Sequence, residues 1–131
     1  SEFHAAMGLS IFPYIDEIIK ARKQVHNMYE KCLDKNLISR PTLPDQTDYN
    51  FAYYPILFKS ETQLTEALTS LRQHDIYPRR YFYPSLDTLP YISSYSNPIS
   101  QSISKRVLCL PNFHDLTFKD VKKISSIINN L

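Results

Sequence analysis

One glycine, Gly8, in 131 residues is the tightest limit on what this chain can build. A glycine-rich phosphate cradle and a dinucleotide-binding fingerprint both need several glycines, so neither fits here. Any phosphate chemistry must use side chains or helix ends, or lie outside this chain. At 131 residues, 43% hydrophobic and 21% charged, the chain reads as one globular domain with a real core. Its formal net charge of +2 is too small to argue for nucleic acid or an anionic membrane. No apolar run approaches a membrane span, and no signal-peptide pattern opens the sequence. Cys32 and Cys109 lie far apart without metal-like spacing, which reads as two reduced structural cysteines in a cytoplasmic protein.

The hydrophobic pattern gives an α+β order. Residues 2–10 suggest a short helix with Phe3, Ala6 and Met7 on one face. The residues around Ser1 read as the interior of a helix, so the chain looks cut from something larger. Pro13 suits the first position of a new helix. From there Tyr14, Ile15, Ile18, Ile19, Arg22, Val25, Met28, Tyr29, Cys32 and Leu33 keep a 3-4 spacing over about five to six turns. Residues 34–50 read as a loop or irregular edge strand, since Pro41 and Pro44 cannot donate to a ladder.

Residues 51–58 form the first good strand, and Pro55 implies a free edge or bulge there. Ser60 caps a helix that runs to about residue 74 on Leu64, Ala67, Leu68 and Leu71. Residues 77–84 read as extended. Residues 85–98 read as a loop anchored by Leu86, Leu89, Tyr91 and Ile92. Asn97 and Pro98 open a short helix, residues 106–111 a buried strand, and Thr117 with Asp120 a capping box for the last helix. The expected fold is a small, largely antiparallel three-stranded sheet with a long N-terminal helix and helices packed on one side.

Tyr77-Pro78-Arg79-Arg80-Tyr81-Phe82-Tyr83-Pro84 carries the functional signal. Adjacent guanidiniums repel each other, so a core has little use for them, whereas a carboxylate or phosphate ligand does. Along an extended segment their side chains point to opposite faces, so at most one of Arg79 and Arg80 reaches a site there. Tyr81, Phe82 and Tyr83 alternate too, one parity packing in the core and the other forming a ligand wall. The candidate substrate-binding residues are therefore Arg79, Arg80, Tyr81, Phe82 and Tyr83. Tyr53 and Tyr54 read as core or interface, with one of them facing the site as the alternative. His4, His26, His74 and His114 are scattered and read as surface or interface residues, not metal ligands or bases. Aromatics beside arginines can also stack single-stranded RNA, but the near-neutral charge argues against it.

Five stretches in order resemble one family. They are residues 1–9, then Tyr14-Ile15-Asp16-Glu17-Ile18-Ile19 with Arg22, and Tyr53-Tyr54-Pro55-Ile56. Asp75-Ile76 with Arg79-Arg80-Tyr81-Phe82-Tyr83-Pro84-Ser85-Leu86 follows, then Ser104-Lys105-Arg106-Val107-Leu108-Cys109-Leu110-Pro111. Asp120-Val121 and Ile124 fit the same pattern at the end. Together they resemble the pyridoxal-phosphate-dependent nucleotide-sugar aminotransferases of the DegT/StrS type. The resemblance covers essentially the whole chain.

What the resemblance implies is the C-terminal portion of a homodimeric enzyme. Residues 1–12 would end the large domain, 13–34 form the connecting helix, and 35–131 the small domain. The enzyme would move an amino group from glutamate to a keto nucleotide-deoxysugar, with a lean to C4 of a dTDP-4-keto-6-deoxysugar. Its product would feed surface polysaccharide such as lipopolysaccharide. The cofactor lysine would lie upstream, so no catalytic or cofactor-binding residue is expected here, and the chain alone should not transaminate. Asp87 stands where the family often has histidine. The other reading is a stand-alone module that binds an acidic metabolite through Arg79 and Arg80. If the large domain is absent, the apolar face of residues 3–29 lies open, and self-association follows.

Overall fold

The computed structural model describes residues 1–92 and 96–131. Helix α1 (Glu2–Ile11) is followed by a 3-10 turn at Phe12–Tyr14 that takes Pro13, and then by the long helix α2 (Ile15–Cys32). Strand β1 (Ile38–Ser39) and strand β2 (Tyr54–Phe58) precede helix α3 (Glu61–Arg72). Helix α4 (Pro98–Arg106), strand β3 (Val107–Leu110) and helix α5 (Phe118–Asn129) close the chain. Three caps sit where the sequence puts them. Ser60 accepts from the Gln63 amide, Asn97 from Ser100, and Thr117 with Asp120 completes a capping box.

The sheet is three-stranded and antiparallel, in the order β1-β2-β3. Tyr54 faces Leu110, Ile56 faces Leu108, and Phe58 faces Ile38. All six are buried, whereas Pro55 and Leu57 on the other face are only partly covered. This alternation puts the helices on one side. Leu64, Ala67 and Leu71 of α3 fill the core with Val121, Ile124 and Ile128 of α5. Val25 and Tyr29 of α2 pack there too, and the Tyr29 hydroxyl donates to the Pro111 carbonyl at 2.9 Å. Asn129 ties the end of α2 to α5, donating to the Cys32 carbonyl at 2.8 Å and accepting the Asp34 amide at 3.0 Å.

Pro55 sits in the middle strand without penalty. Its partner Cys109 turns both backbone groups toward Arg79, so residue 55 faces β1's side, where β1 stops at Ser39 opposite Leu57. The Arg40 guanidinium reaches the vacant Pro55 carbonyl through Nε at 3.4 Å.

Several expectations need correction. The strand read over residues 51–58 starts only at Tyr54, because Phe51 sits at φ 53°, which no strand residue can adopt. The extended reading of 77–84 reduces to one bridging residue. Arg79 donates to and accepts from Cys109 at 3.0 and 2.8 Å. The next hydrogen-bonded pair would be Tyr77 with Pro111, which has no N–H. The third strand is β1 instead. Neither parity of Tyr81, Phe82 and Tyr83 enters the core; Phe82 and Tyr83 are exposed and Tyr81 half-buried. Leu86, Tyr91 and Ile92 are exposed rather than anchoring, and only Leu89 is half-buried.

His26 is not a surface residue. It is buried among the rings of Tyr49, Phe51 and Tyr54. Both cysteines are free, and burial pushes the Cys109 thiol up, away from nucleophilic use. No residue of α1 is buried, and its apolar side chains Phe3, Met7, Leu9 and Ile11 are exposed.

Candidate functional site

Three segments converge beside the outer edge of β3. Just past the end of helix α3, Asp75 sits in the left-handed region at φ 59°, where the Ile76 amide returns to the Leu71 carbonyl and the Asp75 amide to the Arg72 carbonyl. This turn sends the chain back along β3, and the two bonds to Cys109 fix the Arg79 backbone there. Tyr53 arrives from the start of β2, and Arg22 from the middle of α2. Asn112 follows β3 directly. Together they border an open cleft of about 500 Å³.

The two adjacent arginines separate. Arg79 is exposed and lines the cleft, where its Nη1 donates to the Tyr81 hydroxyl at 2.6 Å. The Tyr53 ring meets Tyr81 edge-on, 5.5 Å between centroids, and braces it. Arg80 turns the other way. Its Nη2 binds Glu61 at 2.6 Å and the Lys105 carbonyl at 3.1 Å, and its guanidinium lies 3.5 Å from the Tyr83 ring centre. The Arg80 hydrogen bond holds the Glu61 carboxyl below its usual range.

Arg80 therefore pins the segment to α3 and α4, leaving Arg79 free to meet a ligand. Substituting Arg80→Ala is expected to lower folding stability by about 1 kcal/mol, the net worth of an exposed hydrogen bond, since water can replace the donor at the Lys105 carbonyl. Urea melts check this. A fall in ligand affinity with unchanged stability would instead put Arg80 in the site.

Phe82 and Tyr83 do not line the Arg79 cleft. Phe82 borders a separate apolar groove against α4 with Leu86, Ile99 and Ile103. Asp87, at the family's histidine position, points into its own loop. It accepts from the Ser85 hydroxyl, the Asn97 amide at 2.6 Å and the Gln101 amide at 2.7 Å. These bonds, the Ser85 hydroxyl's first, hold its carboxyl down at about 2. Asp87 thus binds the 85–97 loop to α4, a task no feature of the sequence revealed.

Sequence reasoning also missed Arg22 and Asn112. Arg22 carried a signal, being a charge on the apolar stripe of α2; Asn112 carried none. The cleft lining holds two guanidiniums and no carboxylate. Such a site can hold an anion by charge and by the arginine fork. Every lysine is exposed and none borders the cleft. Among the described residues no cluster of three or more His, Cys, Asp or Glu could hold a metal, and no helix is long and apolar enough to cross a membrane.

Residues 1–129 match the DegT/DnrJ/EryC1/StrS aminotransferase family. The chain is 32% identical over 138 aligned positions to a dTDP-4-amino-4,6-dideoxy-D-glucose transaminase of Escherichia coli, covering 98% of this chain and 37% of that protein. A GDP-perosamine synthase of Vibrio cholerae is 28% identical, with 96% and 36% covered. The chain thus spans little more than a third of the curated relatives it matches. Among solved structures, the aminotransferase TlmJ of Streptoalloteichus hindustanus superposes with a TM-score of 0.85 at 17% identity, over 96% of this chain and 35% of that one. DesI, solved with its TDP-sugar product, gives 0.81 at 21% identity, over 96% and 34%. At these identities the structures establish the fold.

Proposed function

The chain belongs to the DegT/DnrJ/EryC1/StrS aminotransferase family, and we propose that it is the C-terminal portion of a cytoplasmic, homodimeric sugar aminotransferase. That enzyme moves an amino group from glutamate to C4 of a dTDP-4-keto-6-deoxysugar, for surface polysaccharide. Residues 1–12 end its large domain, 13–34 connect, and 35–131 form its small domain. The exposed apolar side chains of α1 support that boundary, since another domain is what would cover them.

What carries the reading is the acid-free cleft that presents Arg79, in a chain whose relatives at 32% and 31% identity are named for a dTDP-linked amino sugar. In this reading Arg79 grips an anionic group of the ligand, Tyr81 aims the guanidinium, and Tyr53 walls the cleft. Pyridoxal phosphate supplies the electron sink of the reaction. In this reading its lysine comes from upstream of residues 1–131, and the exposed lysines here lie away from the cleft. The chain's own part is to bind and orient substrate.

The test is an assay of the full-length protein with glutamate and dTDP-4-keto-6-deoxyglucose. The expected result is equimolar 2-oxoglutarate and dTDP-linked 4-amino sugar, with no turnover by residues 1–131 alone. Turnover by residues 1–131 alone, or none by the full-length protein with this pair, overturns the proposal. An open reading frame that begins just ahead of Ser1 would favour a stand-alone module binding an acidic metabolite through Arg79.

A further inference from the structure

Phe51 is a bulky aromatic residue at φ 53°, in the left-handed region that side chains with a Cβ avoid. It stands three residues before β2, where the β2–β3 ladder would otherwise run on and next bond Ala52 to Asn112. Instead the chain bends away, and side chains take up its backbone groups. Asn112 Nδ2 donates to the Phe51 carbonyl at 2.7 Å. The Ala52 amide donates to Asn50 Oδ1 at 3.0 Å, and the Tyr49 hydroxyl to the Tyr53 carbonyl at 2.8 Å. The Tyr49 and Phe51 rings meet edge-on, 5.0 Å between centroids. A strained bend persists only where such contacts over-determine it, and strain of this kind gathers where function needs a fixed geometry.

What the bend positions is a wall of the Arg79 cleft. Ala52 and Tyr53 both line it, and Tyr53 is 54% exposed, so the bend does not serve to bury that ring. The Tyr53 ring stands edge-on to Tyr81, whose hydroxyl accepts from Arg79 Nη1 at 2.6 Å. The Asn112 amide has nothing to offer a ligand directly: Nδ2 is engaged by Phe51, and Oδ1 is covered by protein. Resting on the reading that this cleft takes substrate, we propose that Asn112 is a positioning residue for it. From just past the end of β3 it clasps the bend at Phe51. The bend presents Tyr53, which backs Tyr81 and so holds Arg79 on its ligand. The same strand carries Cys109, whose backbone fixes that of Arg79. Both sides of the cleft are thereby tied to β3, Arg79 through backbone bonds and Tyr53 through the Asn112 amide. The strand, rather than the loop that leads into β2, then sets the distance between them.

The experiment is calorimetric titration of the full-length protein with dTDP and with 2-oxoglutarate, a diphosphate and a dicarboxylate. The ligand that Arg79→Ala weakens is the one the cleft holds. For that ligand, Asn112→Ala is expected to lose about tenfold in affinity and Tyr49→Phe about threefold. Tyr49→Phe keeps the ring and removes only the bond to Tyr53. Thermal melts report the folding of each variant, and should Asn112→Ala fail to fold, Tyr49→Phe decides alone. In an Arg79→Ala background both losses should shrink below about twofold, because residues that act through one another are not additive whereas independent ones are. A structural defect elsewhere would persist in that background. If the folded variants leave the affinity unchanged, or if their losses stand undiminished beside Arg79→Ala, the positioning role is wrong and the reading of the cleft survives. If Arg79→Ala weakens neither ligand, the reading of the cleft falls, and this inference with it.

Discussion

Replacing Arg79 with alanine in the full-length protein is expected to lower kcat/KM by on the order of 100-fold while leaving its stability unchanged. The separation follows from where the two halves of the residue sit. Its backbone completes the bridge to Cys109, and alanine keeps both of those bonds. Its side chain is exposed, donates to the Tyr81 hydroxyl and lies near that ring, and takes no part in the core. Two charge-assisted bonds to a phosphate contribute roughly 1.5 kcal/mol each, and about 1.4 kcal/mol is a factor of ten. Arg79→Lys retains the charge but not the fork, so it should recover less than tenfold of the loss. Steady-state kinetics with both substrates checks this. A rise in the KM for nucleotide sugar with that for glutamate unchanged places the diphosphate on Arg79, and the reverse places the donor carboxylate there. If neither changes, Arg79 is not a ligand residue.

The helices were readable because their signals are local. The Ser60, Asn97 and Thr117 caps each act within three residues, and the stripe of α5 repeats along one helix face. The long helix and the strands β2 and β3 showed in the hydrophobic pattern for the same reason, whereas their pairing joins residues some fifty positions apart and had no local signal. The cleft was only half legible. Arg79 and Arg80 stood out as a pair, and their opposite directions followed from the extended backbone. Which one stays free depends on Glu61, nineteen positions earlier, and on the Lys105 carbonyl, twenty-five later. No local pattern contains those partners. The same holds for Asp87, whose partner Gln101 lies on α4, and for Asn112, whose contact is the Phe51 carbonyl sixty-one positions away. Arg22 was visible as an anomaly on an apolar stripe. Reading it as a site residue needed the position of β3.

A fall in stability of about 3 kcal/mol between pH 6.5 and pH 4 is the second expected result, and His26 is its cause. The ring is buried within an aromatic cage, and the Arg40 guanidinium lies against it, Nη2 to Nε2 at 3.0 Å. A guanidinium only donates, so Nε2 must accept, and the imidazole is neutral. A proton there would turn acceptor into donor against a fixed cation. Burial first, then the Arg40 charge, lowers its pKa from 6.5 to about 4, against a smaller opposing pull from Glu30. The unfolded chain therefore takes up the proton before the folded one does. Stability is complete above pH 6.5 and is lost as pH falls toward 4, at about 1.4 kcal/mol per unit. Glu30 acts further down. Burial raises its pKa, but the bonds from Tyr54 and Arg40 outweigh that and lower it, so its share is lost only at more acid pH. His26→Phe keeps an aromatic ring in the cage and removes the titrating group. Denaturant melts from pH 7.5 to 4.5 should show a nearly flat profile for the variant and a slope for the parent. Parallel slopes would assign the acid sensitivity to another group.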